Sequence, residues 1–244
     1  MYPCFKRFRK VVFLLILVAI VPPVRAQTPQ ASSSLKFSCV IWNNLSYPTI
    51  LYRQQNTYLP ITLYPQNRSM QYPLAGEKNL NLYIPQVQPD GKPGYRLMGT
   101  APVIPGVKRM LFIIEEKNDA SGLPLSLFGL DDSLDTFPAG AFRFFNFTDL
   151  PLQISFGGTT TALVPKAITV VPSEVSPSGG FVPLVIQNKA GKIVFQTRAF
   201  GEPTGREMVF VEPPTGPMGA YSVKFITELL PQKLPPIPTA ASGP

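Results

Sequence analysis

Apolar and polar positions alternate along most of this chain in runs too short for a helix. Residues 37–42, 80–84, 110–114, 142–147, 181–186, 192–197 and 208–211 are rich in Val, Ile, Phe, Tyr and Thr. Clusters of Gly, Pro, Asn and Asp separate them. That grammar predicts short β-strands joined by turns. The 29 prolines rarely leave a gap long enough for a helix. The nearest approach to a helical period is residues 225–230, and it stops at Pro231.

The strand pattern recurs after about 100 residues, the mark of an internal duplication. Asn44-Leu45-Ser46 with Pro48 matches Asn146-Phe147-Thr148 with Pro151. Gly91-Lys92 matches Gly191-Lys192, and Tyr95 then matches Phe195. The block Lys108-Arg109-Met110-Leu111-Phe112-Ile113 matches Arg206-Glu207-Met208-Val209-Phe210-Val211. Leu123, Leu125 and Leu127 follow it, against Tyr221, Val223 and Phe225. Order is preserved throughout, and small loop insertions account for the drift in spacing. If the copies superpose, Phe112 should lie over Phe210 and Leu125 over Val223.

The expected fold is all-β: two tandem immunoglobulin-like β-sandwich domains related by duplication. The first runs over residues 35–130 and the second over 137–230, with a linker at 131–136. Each has room for seven or so alternating strands, which bury one face of each sheet against the other. A polar lead occupies 27–34. The Pro-rich tail, 231–244, reads as extended.

Charge and the N-terminus add a destination. Of the 22 Lys and Arg, five (Lys6, Arg7, Arg9, Lys10, Arg25) fall in residues 1–26, where no acidic residue occurs. The remaining 17 face 14 Asp and Glu. The basic balance is therefore not a nucleic-acid footprint, which would need a dense patch on the folded domain. A basic start, the apolar run 11–21, Pro22-Pro23 and Val24-Arg25-Ala26 read as a signal peptide of residues 1–26. The apolar run is about half a membrane span. The expected location is the periplasm or the cell surface, with no transmembrane segment after signal removal.

The search for chemistry is governed by an absence in the sequence, which contains no His. Triads that need imidazole, His-ligated zinc and His proton shuttles are excluded. Cys4 leaves with the signal peptide, so Cys39 has no partner, and its apolar surroundings read as a buried structural thiol. Glu115 and Glu116 are neighbours on a strand and should point to opposite faces. Asp131, Asp132 and Asp135 cluster in the linker but lack the spacing of a helix-loop-helix calcium loop. Ser33-x-x-Lys36 leads into a strand, not a helix. Phe156-Gly157-Gly158-Thr159 reads as a β-turn. Asn44 and Asn146 read as turn residues whose side chains bond the local backbone. Asn67 is the position open to glycosylation.

One asymmetry points to a surface. Seven of the nine Tyr lie between Tyr47 and Tyr95, whereas the second domain carries Phe at many strand positions. Tyr combines an apolar body with a polar tip, which suits contact with protein or sugar. Tyr52, Tyr58 and Tyr64 flank Pro-rich turns and form the expected partner-binding surface. The functional expectation is an exported, non-enzymatic envelope protein that binds a protein or glycan, or serves a structural role, without a cofactor. Two alternatives stand beside it. The architecture is similar to that of the tandem immunoglobulin-like periplasmic pilus chaperones, which bind subunits by completing a sheet edge. That family's basic pair at the domain cleft is not placed on residues of this chain. The second alternative is a carboxylate-based hydrolase, which would need two convergent carboxylates in a cleft.

Overall fold

The protein was analysed as a computed structural model, and the structure describes residues 35–41, 45–117, 122–172, 179–214 and 220–230. The expected signal peptide, polar lead and Pro-rich tail, and Asn44, lie outside the described residues.

Sixteen strands make up the described chain, with no helix. The first eight are β1 (Leu35–Ile41), β2 (Ile50–Gln54), β3 (Thr57–Ile61), β4 (Tyr72–Leu74), β5 (Asn79–Val87), β6 (Pro93–Pro102), β7 (Arg109–Glu116) and β8 (Leu125–Asp131). The second eight are β9 (Ala141–Asn146), β10 (Leu152–Phe156), β11 (Thr159–Leu163), β12 (Ile168–Pro172), β13 (Gly180–Asn188), β14 (Ile193–Gly201), β15 (Gly205–Glu212) and β16 (Ser222–Leu229). The helix-like residues 225–230 fall largely within β16.

The sheets repeat strand for strand. The first half pairs in the orders β4-β1-β7-β8 and β3-β2-β5-β6, and the second in the orders β12-β9-β15-β16 and β11-β10-β13-β14. In each half the first and seventh strands pair in parallel, while every other ladder is antiparallel. The matching Gly-Lys turns agree down to their hydrogen bonds. Gln88 N donates to Lys92 O and Gly91 N to Gln88 O; Asn188 N donates to Lys192 O and Gly191 N to Asn188 O, all at 2.9 Å. Gly91 and Gly191 adopt φ of 80° and 77°, which only glycine takes without strain. The result is two tandem β-sandwiches of eight strands each. Their order has β1 and β2 in different sheets, whereas the first two immunoglobulin strands share one sheet.

The expected superposition of Phe112 on Phe210 is displaced by one residue. Phe112 packs inside the first sandwich, while Phe210 points out of the second. Because side chains alternate along a strand, a slip of one residue reverses every face. The ladders match Arg109 to Arg206, Phe112 to Val209 and Ile114 to Val211 instead. Leu125, expected over Val223, pairs with Glu116, and it is Leu127 beside Ile114 that matches Val223 beside Val211. Identical-looking apolar letters at adjacent positions conceal the slip.

Each sandwich encloses its own core. Phe37, Tyr52, Met98 and Phe112 fill the first; Phe142, Phe144, Phe156 and Leu184 fill the second. A third cluster joins the two. Val40, Leu111 and Ile113 from the first half pack with Phe137, Phe145, Met208 and Phe210 of the second. Strands β1, β7, β9 and β15 are therefore buried on both faces, which explains their unbroken apolar runs.

Beside this third cluster lies a buried ionic network. Asp132 immediately follows β8, and its carboxylate is fully buried. It meets Arg68, Arg109 Nε at 2.9 Å and Arg206 Nη2 at 3.1 Å. Glu228 on β16 meets the same three arginines. Arg206 also donates through Nη1 to the carbonyls of Asp132, at 3.1 Å, and Phe137, at 2.8 Å. The Arg143 guanidinium lies 4.3 Å and that of Arg206 4.6 Å from the centre of the Phe137 ring. Arg109 with Asp132 and Arg206 with Glu228 occupy equivalent places in the two copies, and each pair is cross-linked to the other. Burial raises the Asp132 pKa, but Arg68, Arg206 and Arg109 outweigh it and hold the carboxyl below the usual range. Asp132→Asn leaves an excess of buried positive charge and should lower stability by about 3 kcal/mol, measured by urea unfolding.

Candidate functional site

The tyrosines expected to share a surface do not. Tyr52 is 1 % exposed and packs against Phe37 and Tyr72 in the first core. It therefore cannot meet a partner, because strand alternation turns it inward from β2. Tyr64 is 58 % exposed in the loop after β3, and among the described residues no ring contact joins it to Tyr58. Only Tyr58, half-buried on β3, belongs to an aromatic surface.

Two other tyrosines complete that surface. Tyr52 faces inward, so its neighbours Leu51 and Arg53 point outward from the β3-β2-β5-β6 sheet. Arg53 pairs with Tyr58, and Leu51 pairs with Tyr83 on β5. A register shift after Leu82 realigns β5 with β6 and sets Tyr83 opposite Leu97, with Tyr95 two residues away on the same side. The rings then converge. Tyr58 stacks on Tyr95 with centroids 3.7 Å apart, and meets Tyr83 edge-on at 5.0 Å. Beneath them Leu51 is buried although it belongs to neither sandwich core. Tyr95 stays half exposed.

Arg53 borders the patch and is held in place, with Nε donating to Gln55 O at 2.7 Å and Nη2 to Asn56 Oδ1 at 3.1 Å. Burial, followed by the neighbouring Tyr58, pushes the Tyr83 hydroxyl pKa up, against the pull of Arg53. The Tyr83 hydroxyl therefore stays protonated at neutral pH, able to donate and accept hydrogen bonds. The second sandwich differs at the matching place. There the position of Arg53 and Tyr58 is taken by Ser155 and Thr160, whose hydroxyls lie 3.2 Å apart. The count of tyrosines signalled the surface; the bulge that gathers Tyr83 and Tyr95 carries no sequence signal that separates it from ordinary alternation.

The remaining sequence candidates are absorbed by structure. Cys39 is buried, and burial pushes its thiol far above the usual range, so it is no thiolate nucleophile. Asp132 is occupied by arginines, and Asp131 Oδ1 accepts from Ser133 N at 2.9 Å. Asn146 is buried; its Nδ2 donates to the carbonyls of Leu150, Leu163 and Val164, and its Oδ1 accepts from Thr148 N and Oγ1. That is the turn role its sequence implied. Glu116 Oε2 accepts from Ser46 N, while Glu115 faces a surface hollow shared with Glu212 and Lys166. Glu115 and Glu212, one from each copy, thus share that hollow. Glu212 is engaged by Lys224 at 3.3 Å, and Lys166 by Asp149 at 3.2 Å.

One buried acid was not singled out by its sequence context. Glu207 on β15 points into the second sandwich, 8 % exposed. Burial pushes its carboxyl up to about 7, against a hydrogen bond from Thr227. An unfolded Glu titrates near 4.3. Between these values the folded state holds a proton that the unfolded state releases, so stability falls as pH rises through about 4.5 to 7. Glu207→Gln should abolish this component and stabilise the protein at pH 8 by on the order of 2 kcal/mol, with little change at pH 4, measured by urea unfolding.

No protein-family model and no curated protein sequence matches this chain.

Proposed function

We propose that the chain is exported and acts as a non-enzymatic binding module of the cell envelope, with the Tyr58, Tyr83 and Tyr95 face as its contact surface for a protein or glycan partner. The observation that carries this reading is the stacked, half-exposed tyrosine patch on one sandwich, set where the other has Ser155 and Thr160. Rigid aromatic rings with polar tips supply contact area at little entropic cost. Arg53, already fixed by its own hydrogen bonds, adds a charged donor at the edge. Export is supported by the basic start, the short apolar run and the Val24-Arg25-Ala26 cleavage pattern. A non-enzymatic role is supported by the absence of His from the sequence and by the buried, protonated state of Cys39.

The chaperone reading asks for basic side chains open to a subunit in the cleft between domains. Arg68, Arg143 and Arg206 do gather at the junction, but they are buried against Asp132, Glu228 and the Phe137 ring. That favours a structural use of these arginines.

Capture from an envelope extract and binding to immobilised glycans test the proposal. The double variant Tyr58→Ala/Tyr95→Ala should lose at least tenfold in affinity for whatever the wild type retains. Tyr64→Ala should bind as the wild type does. Retention by the double variant at full strength would remove the patch as the site.

A further inference from the structure

The two sandwiches diverge at one corner of their interiors. On β7, Met110 sits in the ladder between Phe37 and Asp131; on β15 the equivalent Glu207 sits between Phe142 and Thr227. Likewise Gly129, opposite Phe112, becomes Phe225, opposite Val209. In the first copy the corner is full. A Cβ at Gly129 would lie 2.8 Å from the Phe112 ring and 2.9 Å from Met110 Cε, and one at Gly99 only 2.4 Å from Leu127. In the second copy the corner opens into a cavity of about 320 Å³.

The cavity has aromatic walls and an acidic floor. Phe181, Phe200 and Phe225 line it and remain 61 %, 48 % and 36 % exposed. Exposed rings gathered around one hollow are unusual on a protein surface. Glu207 and Thr227 form the floor, and Glu202 lies on the wall. Glu207 Oε2 accepts from Thr227 Oγ1 at 2.8 Å, while Oε1 is buried with no hydrogen-bond partner among the described residues. A buried acceptor left unpaired is costly unless something supplies a donor. The Arg198 guanidinium already lies 5.8 Å from the centre of the Phe181 ring, a cation over an aromatic face at the rim.

We propose that this corner of the second sandwich binds a small organic ammonium ion with an aryl or alkyl body. The ammonium donates to Glu207 Oε1, and the apolar body lies against Phe181, Phe200 and Phe225. Two carboxylates, Glu207 and Glu202, face the cavity against the single guanidinium of Arg198, so a cation is favoured over an anion. The aromatic faces add to that preference, because their negative quadrupoles attract cations. A neutral alcohol would supply the donor without the charge. The site is separate from the tyrosine face and does not depend on it.

Calorimetric titration of the purified protein at pH 8 tests this with three probes of one shape: phenethylammonium, 2-phenylethanol and phenylacetate. Phenethylammonium should bind saturably at one site, at least tenfold more tightly than 2-phenylethanol, and phenylacetate should not bind. Glu207→Gln keeps the shape of the side chain and should weaken phenethylammonium at least tenfold while leaving 2-phenylethanol unchanged. Phe181→Ala, at an exposed position, should weaken both. No saturable binding of phenethylammonium, equal binding of all three probes, or full-strength binding by Glu207→Gln would overturn the proposal.

Discussion

The junction between the sandwiches depends on Asp132. Its carboxylate is removed from water and surrounded by Arg68, Arg109 and Arg206, which come from a loop and from two different halves of the chain. Moving such a charge inside costs several kcal/mol, and only convergent partners with good geometry offset that. The convergence requires the faces of β7 and β15 to be in register, and Glu228 makes the same demand from β16. An apolar cluster alone would tolerate sliding of one sandwich over the other. A buried network with two carboxylates and four guanidinium groups tolerates far less, because each misplaced group would be left unpaired. The pseudo-equivalence of Arg109–Asp132 and Arg206–Glu228 also ties this junction to the repeat, since matching positions of the two copies supply both sides.

The duplicated frame has been filled in two different ways. The backbone is conservative: the same strand order, the same parallel pair and the same Gly-Lys turns appear twice. The side chains are not. One sandwich carries Tyr58, Tyr83 and Tyr95 on an outer face, where the other has short hydroxyl residues. Conversely, the first copy closes its inner corner with Met110, Phe112 and Leu127, whereas the second opens it between Phe200, Phe225 and Glu207. Ladder hydrogen bonds belong to the backbone, so they constrain side chains only by the face each one occupies. A sandwich can therefore keep its fold while one copy acquires an exposed aromatic face and the other a cavity.

Much of the fold was legible in the pattern of residues. Alternation, turn residues and the recurrence of Gly-Lys fixed the strands and the two halves, because these are local properties of neighbouring residues. Even Asn146 declared its turn role. The register between the copies was legible only to within one residue. Phe112 and Phe210 are both apolar and both buried, but one faces its own sandwich and the other the junction. Burial on both faces removes the alternation that would have told them apart.

The sequence by itself determined an all-β chain, a duplication, the absence of imidazole chemistry and a concentration of tyrosine in the first half. Only the tertiary structure decided which tyrosines meet. Tyr52 turns inward while Tyr83 and Tyr95, brought together by a bulge, turn outward. It also decided that Asp132 belongs to a buried charge network and that Glu207 faces a cavity. Those outcomes rest on contacts between residues tens of positions apart, and local pattern does not encode which distant side chain will arrive opposite.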